Sequence, residues 1–312
     1  MTVVSSDFLA GVLTNFRALF QRDFDAAQNQ QPWTDFAIRM PSDGEQNTYE
    51  WFGTVPKMEN VSHGTASIND LPEYNFSITN DEFQAVIEVS RMAMERDRLG
   101  LVAPRISQLA EEAARHPGEL IFELFESNPN AFDGTALFAN TRTIGGSANV
   151  DNLTAGTGTS IAQFQTDLAV ARSTMRLFQD DRGRPLNNVG NMLVIPSALE
   201  QTVWQALNAN QAGDGVNNKP LPASGNGTFS AAGYNVIVNP FLTDTNDWYL
   251  LYNGGPSKRP FIYQEEKAPV VESDVNPNTR EAIIQRNFLY SVYGRYNVGV
   301  TVPRFAVKVV NT

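Results

Sequence analysis

Few residues of this chain could do chemistry, and none stands at the spacing a reaction demands. The two histidines, His63 and His116, lie far apart, each beside a turn residue in His63-Gly64 and His116-Pro117. A Ser-His-Asp triad or a histidine metal centre would have to be built on one of them, and neither sits in a motif that supplies the other members. Cysteine is absent, which removes disulfides, thiolate metal sites and cysteine nucleophiles together. DVNPNTREAIIQ, residues 274 to 285, opens like a calcium loop with Asp274, Asn276 and Asn278. It has Thr279 where the turn needs Gly, and Gln285 where the cation needs a bidentate Glu. GGPSKR at 254–259 and GNGTFSAAG at 225–233 lack the strand-then-helix context of a phosphate or dinucleotide loop, so both read as turns. Asp180, Asp181, Asp244 and Asp247 read as loop carboxylates open to solvent, without partners to shift a proton affinity. One stretch stays open: in FDGTALFAN, residues 132 to 140, Asp133 either binds something or bends the chain so that Phe132, Leu137 and Phe138 can be buried.

The totals also argue against a protein built on nonspecific attraction to nucleic acid. The 312 residues are 42% hydrophobic and 18% charged, an ordinary globular composition able to bury a core. A formal net charge of −11 repels phosphates, so the overall field is not built to hold DNA. No basic-then-apolar leader opens the sequence and no run of about 18 apolar residues occurs, so the expectation is a soluble protein with neither export signal nor membrane span.

The elements that must position these residues are clearer than the chemistry. Phe8, Val12, Phe16, Leu19, Phe20 and Phe24 recur at three- and four-residue spacing behind Ser5, Ser6 and Asp7, which predicts a helix over 5–27 with an aromatic face. That face packs either on its own core or on a neighbour. Residues 33 to 73 carry short strand-like pieces among Pro, Gly and Asn and read as a hairpin-like excursion, from which 74–89 return as a strand. In APRISQLAEEAARHPGELIFELFES the stripe Ile106, Leu109, Ala113, His116, Leu120, Leu124 keeps its phase through His-Pro-Gly. This predicts one long helix, bent or loosened at Pro117. A second long helix follows Ser160, whose spacing to Gln163 is that of a capping box. NMLVIPSALEQTVWQAL reads as a buried strand, a Pro and a capped helix; residues 209–229 are a long polar loop, and strands fill the C-terminal part from 234. Long helices with segregated strands make the class α+β.

Taken in order, TYEWFGTVPKM, LPEYNFSITNDEF, RMAMERDRLGLVAPRISQLAEEAARHPGELIFELF, FDGTALF, MLVIPSALE and the stretch from RPFIYQEE to FLYSVYGRYNVG resemble the Mu-like bacteriophage major head subunit (major capsid protein) family over nearly the whole chain. The chain departs from it at Asn140, Thr141 and Arg142, where relatives often carry an acidic residue and a His, and at Glu59 and Asn60, where some carry Trp. The resemblance implies the α+β shell fold of tailed phages and herpesviruses. Its parts would be an N-terminal arm (1–32), an extended E-loop with its return strand (33–90) and a peripheral domain (91–190). That domain would hold a spine helix near 98–127 and a second helix at 160–178. An axial domain (191–260) would follow, with the 209–229 loop at a capsomer axis or surface, and C-terminal strands (261–312) would complete both domains.

The same resemblance implies a major capsid protein, not an enzyme, that self-assembles without cofactor or metal into an icosahedral virion shell around double-stranded DNA. It implies hexamers and pentamers, no sequence-specific DNA binding, no membrane, assembly in the bacterial host cytoplasm, and a separate scaffold, head-maturation protease and portal as partners. The alternative is a phage tail or adhesion protein, which would predict repeats the chain lacks. In the capsid frame Phe8, Phe16, Phe20, Phe24, Trp51, Phe52 and Lys57 are candidates for contacts between subunits. His116, Pro117 and Gly118 are candidates for a hinge in the spine helix. Lys57 stands where some members of the wider fold place a cross-linking Lys, yet cross-linking is not expected, since its partners are not in view. The arm helix begins within ten residues of Met1, so a scaffold is expected to act in trans. Asp133 is expected to be structural, turning the chain after the spine helix.

Overall fold

The computed structural model describes residues 6–52, 73–90, 99–142, 150–180, 183–208, 227–274, 284 and 286–311. A helix α1 (Ser6–Gln28) leads through a turn of 3-10 helix at Pro32–Asp35 into β1 (Ala37–Pro41). The strands β2 (Gln46–Phe52) and β3 (Glu73–Thr79) pair only with each other, antiparallel, from Gln46↔Thr79 to Phe52↔Glu73. After β4 (Asp81–Ser90) comes α2 (Leu99–Ser127), helical through Pro117 without interruption. The single phase of its apolar stripe required that continuity.

The rest of the chain builds two larger sheets. One has four strands in the order β1, β10 (Phe261–Asp274), β11 (Asn287–Val300), β4. Along β11 the even-numbered Phe288, Tyr290, Val292 and Tyr296 are buried beneath α1 and α2, the period of two expected for a strand with one covered face. The other sheet has six strands in the order β5 (Leu153–Ala155), β12 (Ala306–Val310), β9 (Trp248–Leu251), β6 (Met192–Pro196), β8 (Tyr234–Asn239), β7 (Thr228–Ala231). The helices α3 (Ile161–Leu177) and α4 (Glu200–Asn208) pack on it. Thr228 and Phe229, expected in the long loop, begin β7, and the remainder of that loop to residue 226 lies outside the described residues.

Three cores result. Phe16, Phe20 and Phe24 of α1 share one with Ile106 and Ala110 of α2 and with Phe288 and Tyr290 of β11. The second half of α2 joins the two sheets through Phe122, Phe125, Tyr249 and Phe261. The third lies between the six-stranded sheet and its helices.

Residues 160–178, expected as a second helix of the same domain as α2, pack elsewhere than on α2. Phe164, Leu168, Ala171 and Met175 are buried with Trp248, Leu250 and Val307, so α3 is a layer of the six-stranded sheet and not a companion of α2. Periodicity shows which face of a helix is buried, never against what. The capping box is present: Ser160 Oγ accepts from the Gln163 N–H, and Gln163 Oε1 accepts from the Ser160 N–H.

Candidate functional site

Phe132-Asp133-Gly134 turns the chain directly after α2, and Asp133 is spent inside that turn. Gly134 has φ +73°, a conformation that a side chain would strain, and its N–H donates to Ala131 O at 2.9 Å. Asp133 Oδ1 accepts from the Thr135 N–H at 3.2 Å, while Oδ2 lies 2.8 Å from Nε of Arg142, off the hydrogen-bond axis, as an ion pair. Arg142 is 1% exposed; its guanidinium donates to Leu137 O and Thr135 O at 3.0 Å each and also to Ala136 O. Burial pulls its pKa down and Asp133 pulls it back up. Phe132, Leu137 and Phe138 are buried as expected. Arg142 was seen in the sequence only as a departure from the resembled family, yet it is the cation that Asp133 requires.

The other carboxylates are also taken. Asp180 is buried and paired with Arg184 at 2.5 Å. Asp247 is buried, 2.9 Å from Lys308, and accepts from the Asn311 N–H at 3.0 Å. The expectation that both stand open to solvent is therefore wrong: for Asp247 a partner more than sixty residues away, Lys308, leaves no trace in local sequence, whereas Arg184, four residues from Asp180 in the same loop, was a partner the sequence did show. Asp244 accepts from the Asn246 and Asp247 N–H groups in its own turn. Asp181, His63 and most of the 274–285 stretch lie outside the described residues. GGPSKR is a turn, Gly254 N–H to Lys258 O at 3.1 Å; Ala232 and Gly233, both at positive φ, join β7 to β8 as a two-residue hairpin turn. Among the described residues no group of three or more His, Asp or Glu is placed to hold a metal ion, and no helix is long and apolar enough to cross a membrane.

The contact candidates divide. Phe16, Phe20 and Phe24 are 6%, 1% and 4% exposed, with Phe16 edge-on to Tyr290 at 5.6 Å and Phe20 stacked on Phe24 at 5.7 Å. They fill the chain's own core, one of the two covers the sequence left open for this face, and α2 and β11 supply the apolar surface that takes them. Phe8 is in α1 and Trp51 and Phe52 end β2, but their side chains, and Lys57 altogether, lie outside what is described.

The hinge candidates come together as neighbours of other elements. His116 Nδ1 is 2.9 Å from the Tyr296 hydroxyl, and its ring is 4.5 Å from that of Phe83. It lines an apolar cavity of 190 Å³ between α2 and the four-stranded sheet, with Phe83, Ala113, Val292 and Tyr296. Two residues on, Gly118 is buried against the indole of Trp33.

The ribbon of β2 and β3 is the most distinctive surface. Thr48, Glu50, Asn75 and Ser77 are exposed along it, and it belongs to neither larger sheet. Its foot is a buried polar cluster. Gln264 of β10, fully buried, accepts from the Tyr49 hydroxyl at 2.7 Å and donates to Ile78 O at 3.1 Å and Asn80 Oδ1 at 2.7 Å. Asn80 donates in turn to Ser42 Oγ at 2.9 Å and Gly44 O at 2.7 Å. Sequence reading missed this cluster; the one signal was a Gln within the strand FIYQ, beside three residues that are all buried.

With that geometry in hand, the comparisons with known proteins agree. The phage capsid protein family matches residues 76–309. The chain is 29% identical over 138 residues to the major capsid protein of Escherichia phage Mu, an alignment that spans 44% of each chain. It is 23% identical to the Mu-like prophage FluMu major head subunit of Haemophilus influenzae, over 96% of this chain and 72% of that one. Its fold is similar to the procapsid subunit of bacteriophage JBD30, with a TM-score of 0.55, 21% identity, and 98% of this chain and 75% of that one covered. The chain belongs to the phage capsid protein family.

Proposed function

We propose that this protein is the major head subunit of a Mu-like phage or prophage, and that copies of it build the closed shell that encloses the double-stranded genome. The observation that carries the proposal is the ribbon. A two-stranded ribbon covered by its own chain only where Phe76 and Ile78 meet the body, with Thr48, Glu50, Asn75 and Ser77 exposed, is marginal in water by itself, so the rest of β2 and β3 is finished by another surface. In a protein of this family the surface at hand is the next copy. Interfaces of modest size, repeated around hexamers and pentamers, let assembly reverse its errors, while an element that crosses to a neighbour adds linked contacts.

The net charge of −11 supports a wall that does not hold DNA by its overall field. A shell that closes and is then filled needs an entrance and a guide to size, so a portal, a separate scaffold and a head-maturation protease are the partners proposed, with assembly in the host cytoplasm. Electron microscopy of the purified protein, alone and with a candidate scaffold, tests the reading. Closed or tubular particles of hexameric capsomers are expected. A protein that stays monomeric under every condition, or forms a tail-like fibre, overturns it.

A further inference from the structure

Resting on the shell reading, we infer that Gln264 is the residue that sets the angle at which the ribbon leaves the body, and hence that it positions the shell-building arm. One side-chain amide touches both strands of the ribbon: its oxygen takes the Tyr49 hydroxyl of β2, and its nitrogen serves Ile78 O of β3 and Asn80 Oδ1 just beyond. All of its polar side-chain atoms are engaged, and it is fully buried near the start of β10. A buried amide with one bond missing is costly, so each of the three contacts strengthens the hold of the other two.

Asn80 closes the arrangement. It holds the turn through which the chain enters the ribbon, by Ser42 Oγ and Gly44 O, and its own N–H donates to Glu45 O at 2.7 Å. The Ser42 N–H donates to Glu265 O at 2.8 Å, which returns the turn to β10. Entry, exit and both strands are therefore tied to two consecutive residues of one central strand. Ile78 packs on Gly299 of β11, where a Cβ would meet Ile78 Cδ1 at 2.5 Å, so the ribbon lies flush against the sheet at its foot and has one seat there. Directional hydrogen bonds fix an angle where apolar packing alone would permit sliding.

The test compares particles formed under identical conditions by the parent, by Gln264→Met and by Tyr49→Phe. Gln264→Met keeps the volume of the side chain and removes all three bonds, while Tyr49→Phe removes one and leaves the body untouched. The expected result is a folded protein whose ribbon amides exchange hydrogen about tenfold faster or more, with those of β10 and β11 unchanged, and particles whose diameters spread or which open into tubes. Tyr49→Phe should show the same change in smaller degree, and it decides the matter if Gln264→Met does not fold. Particles of parental diameter and spread, with parental ribbon exchange, overturn the inference. If the parent itself forms no particles, the shell reading fails, and ribbon exchange still tests the anchor by itself.

Discussion

Trp33 and Gly118 are in contact so close that a Cβ at residue 118 would stand 2.8 Å from Cδ1 of the indole. Trp33 is 2% exposed, held on its other side by Tyr263 at 5.0 Å, and cannot give way cheaply. The turn between α1 and β1 is thereby seated on α2 at the residue after Pro117. Glycine in a helix interior costs about 1 kcal/mol relative to alanine, and here the close approach explains why it is kept.

Gly118→Ala is accordingly expected to destabilise, because overpacking a filled core costs about 1–3 kcal/mol and exceeds the gain in helix propensity. The melting temperature should fall, and Trp33→Leu in the same chain should recover part of the loss. Pro117→Ala alone should do the opposite, since it returns an N–H to the carbonyl of Ala113. If Gly118→Ala raises the melting temperature, the indole is not a fixed wall. The hinge proposed at His116-Pro117-Gly118 is then tested cleanly by Pro117→Ala in assembled particles, where loss of expansion or closure is the expected result.

The aromatic face of α1 leads to a second expectation. Phe20 is buried among the core of α2 and β11, and truncating such a side chain costs about 3–5 kcal/mol. Phe20→Ala should lower the midpoint of denaturation strongly even at concentrations where no particle forms. Deleting residues 6–28 should expose Ile106, Ala110 and Phe288 and leave a chain that aggregates. A deletion variant that stays folded and monomeric would show that α1 contributes only to assembly.

The ion pair at the turn after α2 supplies a third. Removing one partner of a buried pair leaves the other uncompensated and costs about 3–5 kcal/mol. Arg142→Met should therefore be severely destabilising, since it also abandons the carbonyls of Thr135, Ala136 and Leu137. Arg142→Lys should rescue little, because an ammonium cannot reproduce the planar fork of donors. Urea denaturation of the two variants decides it, and a lysine variant as stable as the parent would show that charge alone suffices.

These residues also mark where the sequence could be read and where it could not. The phase of the stripe from Ile106 to Leu124 revealed an unbroken α2, and Ser160 with Gln163 revealed a helix start, because both are local rules of spacing. Phe132, Leu137 and Phe138 were legible as anchors of a turn for the same reason. The partner of α3, the pairing of Asp247 with Lys308, and the meeting of Gln264 with Tyr49 depend on where distant segments come to lie. Spacing carries no information about that. The face of α1 was legible as apolar, but whether its cover came from the same chain was decided only by how much of α2 and β11 remained to be covered.

The last expectation concerns pH. His116 is half-buried, and burial holds its pKa below the ordinary 6.5; Glu119 and Glu112 on its own helix pull upward but do not prevail. Both carboxylates are also engaged by Arg115, at 2.9 and 2.6 Å, which weakens their pull. From β11 it faces the Tyr296 hydroxyl, which burial keeps protonated, and from β4 the ring of Phe83. A depressed histidine pKa means that the unfolded chain takes up the proton first as the solution is acidified. Stability linked to His116 is thus whole above the unfolded pKa of about 6.5 and is lost as pH falls from there toward the folded value. Protonation at Nδ1 would also turn a possible acceptor into a donor facing Tyr296, beside the cavity at the Pro117 turn. The parent should lose melting temperature between neutral and mildly acid pH more steeply than His116→Gln, which keeps a polar group near Tyr296 but cannot titrate. Parallel curves for the two proteins would show that His116 binds its proton equally in the folded and unfolded chain, and would remove this residue from any account of how acid acts on the shell.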